Sequence, residues 1–276
     1  MFYAGKSTQM MLCCVRQIAI EKRGGAVLEN LYLRAFRILG NFEEDYLTSV
    51  PAVRHLREYA FRKPVTFFVG ENGSGKSTLL EALAIRCGFN PEGGTRNFRF
   101  STRESHSALY RSIEVVRSIP FPSDGFFLRA ESFYNVASEI DRLGGSGMEG
   151  MTGVQRFLEQ NYGGKSLHEQ SHGESFMSLA LNRFRGNSIF FLDEPESALS
   201  PSRQMTLIAR IHELVEEDSQ FIIATHSPIL MAYPHAQIVV LSDDSAEVTP
   251  YRETEHYNLT RSFLEAPEKM LRYLLD

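Results

Sequence analysis

Apolar positions along this chain fall into short unbroken runs separated by stretches of helical period. Val65–Val69, bounded by Pro64 and Gly70, is a run of β-branched and aromatic residues, the pattern of a strand buried on both faces. Ser188–Leu192, Phe221–Ala224 and Ile238–Leu241 repeat that pattern, and Gly125–Arg129 is a further strand candidate. Tyr32–Leu39 interleaves apolar and basic residues and predicts another strand. Lys76–Cys87 predicts a helix with Leu79, Leu80, Leu83 and Ala84 on one face. Helices are also expected from about Phe133 to Leu143, over Gly173–Arg185, and over the amphipathic stretch Pro201–Glu217. The tail from His256 reads as two short helices, the second opening at Pro267, a favoured first helical position. Asn41–Lys63, interrupted by Pro51, predicts loop plus a short helix. Asn90–Arg103 predicts a loop, and glycine-rich Gly144–Gly153 a mobile one. Strands alternating with helices imply an α/β fold with a mainly parallel sheet flanked by helices. There is no internal repeat and no sustained heptad pattern.

The 276 residues are 43% hydrophobic and 23% charged, an ordinary globular composition with enough chain for a core without staples. The formal net charge of -5 argues against a wholly basic nucleic-acid surface. Cys13, Cys14 and Cys87 are an odd set without paired spacing, which reads as reduced thiols. Met10–Val15 is too short for a signal-peptide core, and no stretch is long and apolar enough to span a bilayer. The expected location is cytoplasmic. Residues 1–30 have mixed composition without a clear period and are set apart as a variable N-terminal segment.

Gly70-Glu71-Asn72-Gly73-Ser74-Gly75-Lys76-Ser77 matches G-x-x-x-x-G-K-[ST] in full, between a buried strand and a helix. Glycines let the backbone curl until successive N–H groups point at phosphate oxygens, and the helix N-terminus favours the same anion. Lys76 is placed to reach the β- and γ-phosphates of ATP, and the Ser77 hydroxyl to ligate Mg²⁺. Thr78 completes the expected nucleotide contacts. Gly5-Lys6-Ser7-Thr8 repeats only the end of the motif, without a strand or first glycine before it, and is read as coincidence. Asp193 and Glu194 end the apolar run from Ser188, and a parallel sheet presents ligands at that end of its strands. Asp193 is expected to hold Mg²⁺, and Glu194 to orient or deprotonate the attacking water. Thr225-His226-Ser227 follows the next buried strand, so His226 is expected to sense the γ-phosphate; capping or packing is its plainer role. Ser171-His172-Gly173-Glu174-Ser175 opens a helix, with Ser171 and Glu174 spaced as a capping box around an anion-binding N-terminus.

The order P-loop, SHGES, FFLDEP and THS resembles the ABC-type ATPase superfamily, with SHGES in the place of its signature motif. The stretches FFVGENGSGKSTLLEAL, TRNFRFSTR, FFLRAESFYN, SLHEQSHGESF and QFIIATHSPIL resemble a compact stand-alone ATPase group of AAA type, related to the SMC and recombination-repair ATPases. The resemblance runs from Val65 to Ser227. It implies a single ABC-type domain over residues 31–276 with a small helical subdomain at about 131–185. It implies that Lys76, Ser77, Asp193, Glu194 and His226 serve one ATP, while Ser171 and Gly173 contact the nucleotide of a second copy. An ATP-bound homodimer acting on a protein or nucleic-acid partner is therefore expected, as in DNA repair or defence; the alternative is the ATPase subunit of a membrane transporter.

Three positions depart from the pattern: His172 stands for a glycine, Ser200 for an aspartate, and Glu131 is the nearest candidate for a missing glutamine after Gly125–Arg129. Ser200 has a plain role as cap of the helix opening at Pro201. Arg96, Arg99 and Arg103, interleaved with Phe98 and Phe100, suggest either nucleic-acid contact or a solvated loop.

Overall fold

The computed structural model describes residues 31–40, 42–96, 107–122, 124–129 and 172–275. The expected helix from Phe133, the Gly144–Gly153 loop, most of the expected helical subdomain, and Ser171, Glu131, Arg99, Arg103, Cys13 and Cys14 lie outside these residues.

Six strands form the main sheet. They are β3 (Val65–Gly70), β5 (Asp124–Leu128), β6 (Ser188–Asp193), β7 (Gln220–Ala224), β8 (Ala236–Leu241) and β9 (Ala246–Val248), in the order β5-β6-β7-β3-β8-β9. All neighbours are parallel except the β8–β9 pair. Every residue of β3, β6 and β7 is buried, as their unbroken apolar runs require. Alternate residues serve two cores. Phe67, Phe190 and Phe221 face one side with Leu207, Ile211 and Leu214; Phe68, Phe191 and Ile222 face the other with Leu79, Leu80 and Leu83. The first side is covered by helices α3 (His172–Asn182) and α4 (Pro201–Glu216), the second by α2 (Lys76–Arg86). The side chain of Ser200 caps α4 by accepting from the Arg203 N–H.

A second, antiparallel sheet lies over the α2 side. It joins β1 (Leu33–Ile38), β2 (Glu58–Ala60) and β4 (Ile113–Arg117) in the order β2-β1-β4. Its β2 falls inside the stretch expected to be loop plus short helix; the helix is there too, as α1 (Pro51–His55). A buried side chain hydrogen-bonds the two sheets together. Gln220, fully buried in β7, accepts from the Leu33 N–H at 2.8 Å and donates to the Leu33 carbonyl at 2.9 Å. Two further helices close the described chain, α5 (Glu255–Glu265) and α6 (Pro267–Leu275).

Candidate nucleotide-binding site

The strand register fixes the site. Phe68 pairs with Ala224, and Asp193 pairs with Ala224 from the other side, so the ends of β3, β6 and β7 lie on one edge of the sheet. From β3 the chain turns through Glu71–Gly75 into α2. Gly75 is the N-cap residue with φ of 90°, a left-handed conformation, and a Cβ there would come within 2.2 Å of Val50 Cγ1. No side chain caps α2, so the N–H groups of its first turn are left for an anion. The Ser74 hydroxyl in the loop is buried without a hydrogen-bond partner. Glu71, Asn72, Gly73 and Ser77 are exposed, and Thr78 is half-buried.

Lys76 is 4% exposed and lies back along the loop, donating to the carbonyls of Gly70 at 2.8 Å and Glu71 at 3.0 Å. Burial lowers its pKa, opposed by the carboxylates of Glu194, Asp193, Glu71 and Glu196. Four acidic groups therefore face one ammonium, and a polyphosphate entering there needs a further cation. The Ser77 hydroxyl donates to Asp193 Oδ1 at 2.8 Å. Burial pushes the Asp193 carboxyl up to about 6, against the Ser77 hydrogen bond. A hydroxyl and one carboxylate oxygen so placed, beside a phosphate site, suit Mg²⁺, which takes few protein ligands and completes its shell from water and phosphate.

Glu194 has φ of 45°, rare for a non-glycine residue, and its N–H is tied to the Ala224 carbonyl at 2.9 Å. The strain turns its side chain off the strand line toward His226, whose Nε2 lies 3.5 Å from Glu194 Oε1. That is ion-pair distance, yet Nε2 is buried and makes no hydrogen bond. The ring nitrogen thus faces the Glu194 carboxylate without a hydrogen bond. The residue pattern thus brought Lys76, Ser77, Asp193, Glu194 and His226 to one place, and the structure gathers them there.

Three contributors escape the sequence patterns. Glu196 Oε1 accepts from the His226 N–H at 2.6 Å, locking the turn after β6 to the loop after β7. Arg129, at the position after β5 where the ABC pattern nears its glutamine, pairs with buried Glu81 at 2.8 Å and lowers the Asp193 pKa. His256, in the first turn of α5, has its ring 5.7 Å from that of His226. The DEPE spacing hints at Glu196; nothing local signals Arg129 or His256.

Gly173 is buried in the first turn of α3, where a Cβ would meet the Ala198 carbonyl at 2.4 Å and Arg203 Nη1 at 2.8 Å. Glu174 of the expected capping box reaches Arg203 at 3.3 Å. Arg96 is used inside the fold: it donates to the Pro122 carbonyl at 2.7 Å and sits 5.2 Å over the Phe121 ring. Among the described residues, Arg96 thus has one guanidinium nitrogen and one face engaged within the fold. The described residues hold no helix long and apolar enough to cross a membrane.

A family model described as "AAA domain, putative AbiEii toxin, Type IV TA system" matches residues 65–144 and 167–232. The ABC transporter G family member STR2 of Medicago truncatula is 26% identical over 192 residues, 65% of this chain and 26% of that protein. The thiamine import ATP-binding protein ThiQ of Jannaschia sp. is 31% identical over 166 residues, 57% of this chain and 69% of that protein. The protein described as "Putative ABC transporter ATP-binding protein TTE0246" of Caldanaerobacter subterraneus subsp. tengcongensis is 26% identical over 218 residues, 75% of this chain and 87% of that protein. The chain spans 26% and 29% of the length of the two STR2 relatives, from Medicago truncatula and Petunia hybrida.

Proposed function

The chain belongs to this AAA domain family of P-loop ATPases, and from that premise we propose that it hydrolyses Mg-ATP within a dimer of two copies, as a nucleotide-driven switch for a partner macromolecule. The observation that carries this reading is the convergence at three adjacent strand ends: Lys76 and Ser77 after β3, Asp193 and Glu194 at β6, His226 after β7. Lys76 would meet the β- and γ-phosphates, together with the uncapped N–H groups of α2. Ser77 and Asp193 would hold Mg²⁺, which when bound neutralises phosphate charge and orients the transferred group. Glu194 would take the proton of the attacking water, and the free Nε2 of His226 would bond the γ-phosphate.

Hydrolysis requires charge stabilisation around the γ-phosphate and exclusion of bulk water. Glu71, Asn72, Gly73 and Ser77 are exposed on this chain, so the loop needs a cover. The ABC resemblance assigns that cover to Ser171 and Gly173 of a second copy. ATP would then hold two copies together, and loss of the γ-phosphate would release them. Glu194→Gln keeps the side chain's shape and removes the base, so it should turn over very slowly and accumulate as a dimer with Mg-ATP. Lys76→Ala should lose Mg-ATP affinity in calorimetry. Light scattering decides: a Glu194→Gln protein that stays monomeric with and without Mg-ATP refutes the shared-nucleotide dimer.

The names of the relatives favour a second reading, the ATP-binding subunit of a membrane transporter. It requires a membrane-spanning partner recovered with the chain after detergent extraction of the host's membranes. The stand-alone reading requires that the purified chain hydrolyse ATP and dimerise without one.

A further inference from the structure

Resting on the hydrolytic reading above, we propose that His256 is a positioning residue for this site, holding the His226 imidazole from the first turn of α5. His226 is fixed on its backbone by Glu196, but its Nε2 makes no hydrogen bond. Glu194 Oε1, at 3.5 Å, is too far for a good hydrogen bond, so a second contact is needed to hold the ring in one orientation. The neighbouring ring is that of His256, with centroids 5.7 Å apart and planes at 44°.

The element that carries His256 is anchored to the His226 loop. The Tyr251 hydroxyl donates to the Pro228 carbonyl at 2.8 Å. Thr254, 1% exposed, caps α5 by accepting from the Tyr257 N–H at 3.3 Å and donates to the Tyr251 carbonyl at 2.7 Å. The Tyr251 and Tyr257 rings pack with centroids 4.8 Å apart. His256 is thus delivered to the site by a short, closed frame built on the residues that follow His226.

Its surroundings suit a neutral imidazole. Burial lowers the His256 pKa, and His226 and Lys76 act in the same direction, against Glu71 and Glu255. The helix N-terminus also disfavours a cation there. A neutral imidazole packs on the His226 ring without charge repulsion.

The test is steady-state ATP hydrolysis and Mg-ATP binding for wild type, His256→Phe, His256→Leu, His226→Gln and the double variant His226→Gln/His256→Leu. Loss of the packed ring should lower kcat of His256→Leu about tenfold, with KM within about twofold of wild type. His256→Phe, which keeps a ring against His226, should retain most of the wild-type kcat. The double variant should be no slower than His226→Gln alone, because His256 acts through His226. Wild-type kcat in His256→Leu, equal loss in Leu and Phe, or multiplying losses in the double variant would overturn the inference. Should His256→Leu not fold, wild type decides by NMR. The ¹⁵N imidazole resonances of both histidines should shift when Mg²⁺ and a non-hydrolysable ATP analogue bind, and an unmoved His256 signal refutes it. A wild-type protein without ATPase activity would instead fell the hydrolytic reading, and this inference with it. Activity abolished by Lys76→Ala but untouched by His256→Leu would leave that reading standing and remove only His256.

Discussion

At the scale of single residues, the site holds one carboxyl in an energetically awkward state. Asp193 is 7% exposed and its pKa is raised from the model-peptide value of 3.8 to about 6, chiefly by burial. The folded protein therefore binds this proton more tightly than the unfolded chain does. The stability so gained is fully present below about pH 4 and is lost as pH rises through about 6, a difference of at most roughly 3 kcal/mol. Asp193→Asn should accordingly be more stable than wild type in EDTA near neutral pH, and the gap should close toward about pH 4. Thermal melts across that range check it; a pH-independent gap would show that burial of the charge is not the cause. The acid and the lysine of this site were legible from spacing, because phosphate and Mg²⁺ chemistry demands fixed residue types at fixed offsets. Glu196, Arg129 and His256 were not, because each acts across a contact that only the folded chain creates. Cys87 was legible as a free thiol, and the structure buries it and pushes its pKa up to about 12.

At the scale of elements, α3 meets the turn after β6 with almost no clearance, and that turn carries Glu196. A methyl group at Gly173 would strike a backbone carbonyl at 2.4 Å, an atom that moves only with its whole turn. Gly173→Ala should therefore destabilise the fold by roughly 1–3 kcal/mol and displace the Glu196 clamp on His226. Urea unfolding should show the loss, and kcat should fall while Mg-ATP affinity holds. Unchanged kcat would mean that α3 and the clamp are mechanically independent. Strands buried on both faces announce themselves as apolar runs, which is why β3, β6, β7 and β8 were readable to within a residue or two. The antiparallel strands β2 and β9 were not. Each has three residues, and Glu58 and Glu247 are among them, so neither builds a periodic signal. β4 has five residues but only one fully buried side chain, at Ile113, and it borrows its register from β1.

At the scale of the whole molecule, the P-loop strand owes its place to chain that lies far beyond it. β3 sits between β7 and β8, and β1 is latched to Gln220 across 187 positions of sequence. Contacts of such long range close slowly, since the loop entropy is lost before the contact is gained. A chain ended after Ser227 keeps every residue assigned to one nucleotide yet lacks the strand that pairs with Val65–Gly70 from the β8 side. It should not bind Mg-ATP in calorimetry, and retained affinity would show that β7 alone orders the loop. On a ribosome the same geometry sets a calendar. The phosphate loop emerges early and waits, its apolar strand unpaired until Gln220–Ala224 is made and paired on one side only until Ala236–Leu241 follows. The nascent protein is thus switched on by its last third, and over that interval the apolar residues of β3 are the segment most in need of a chaperone's shelter.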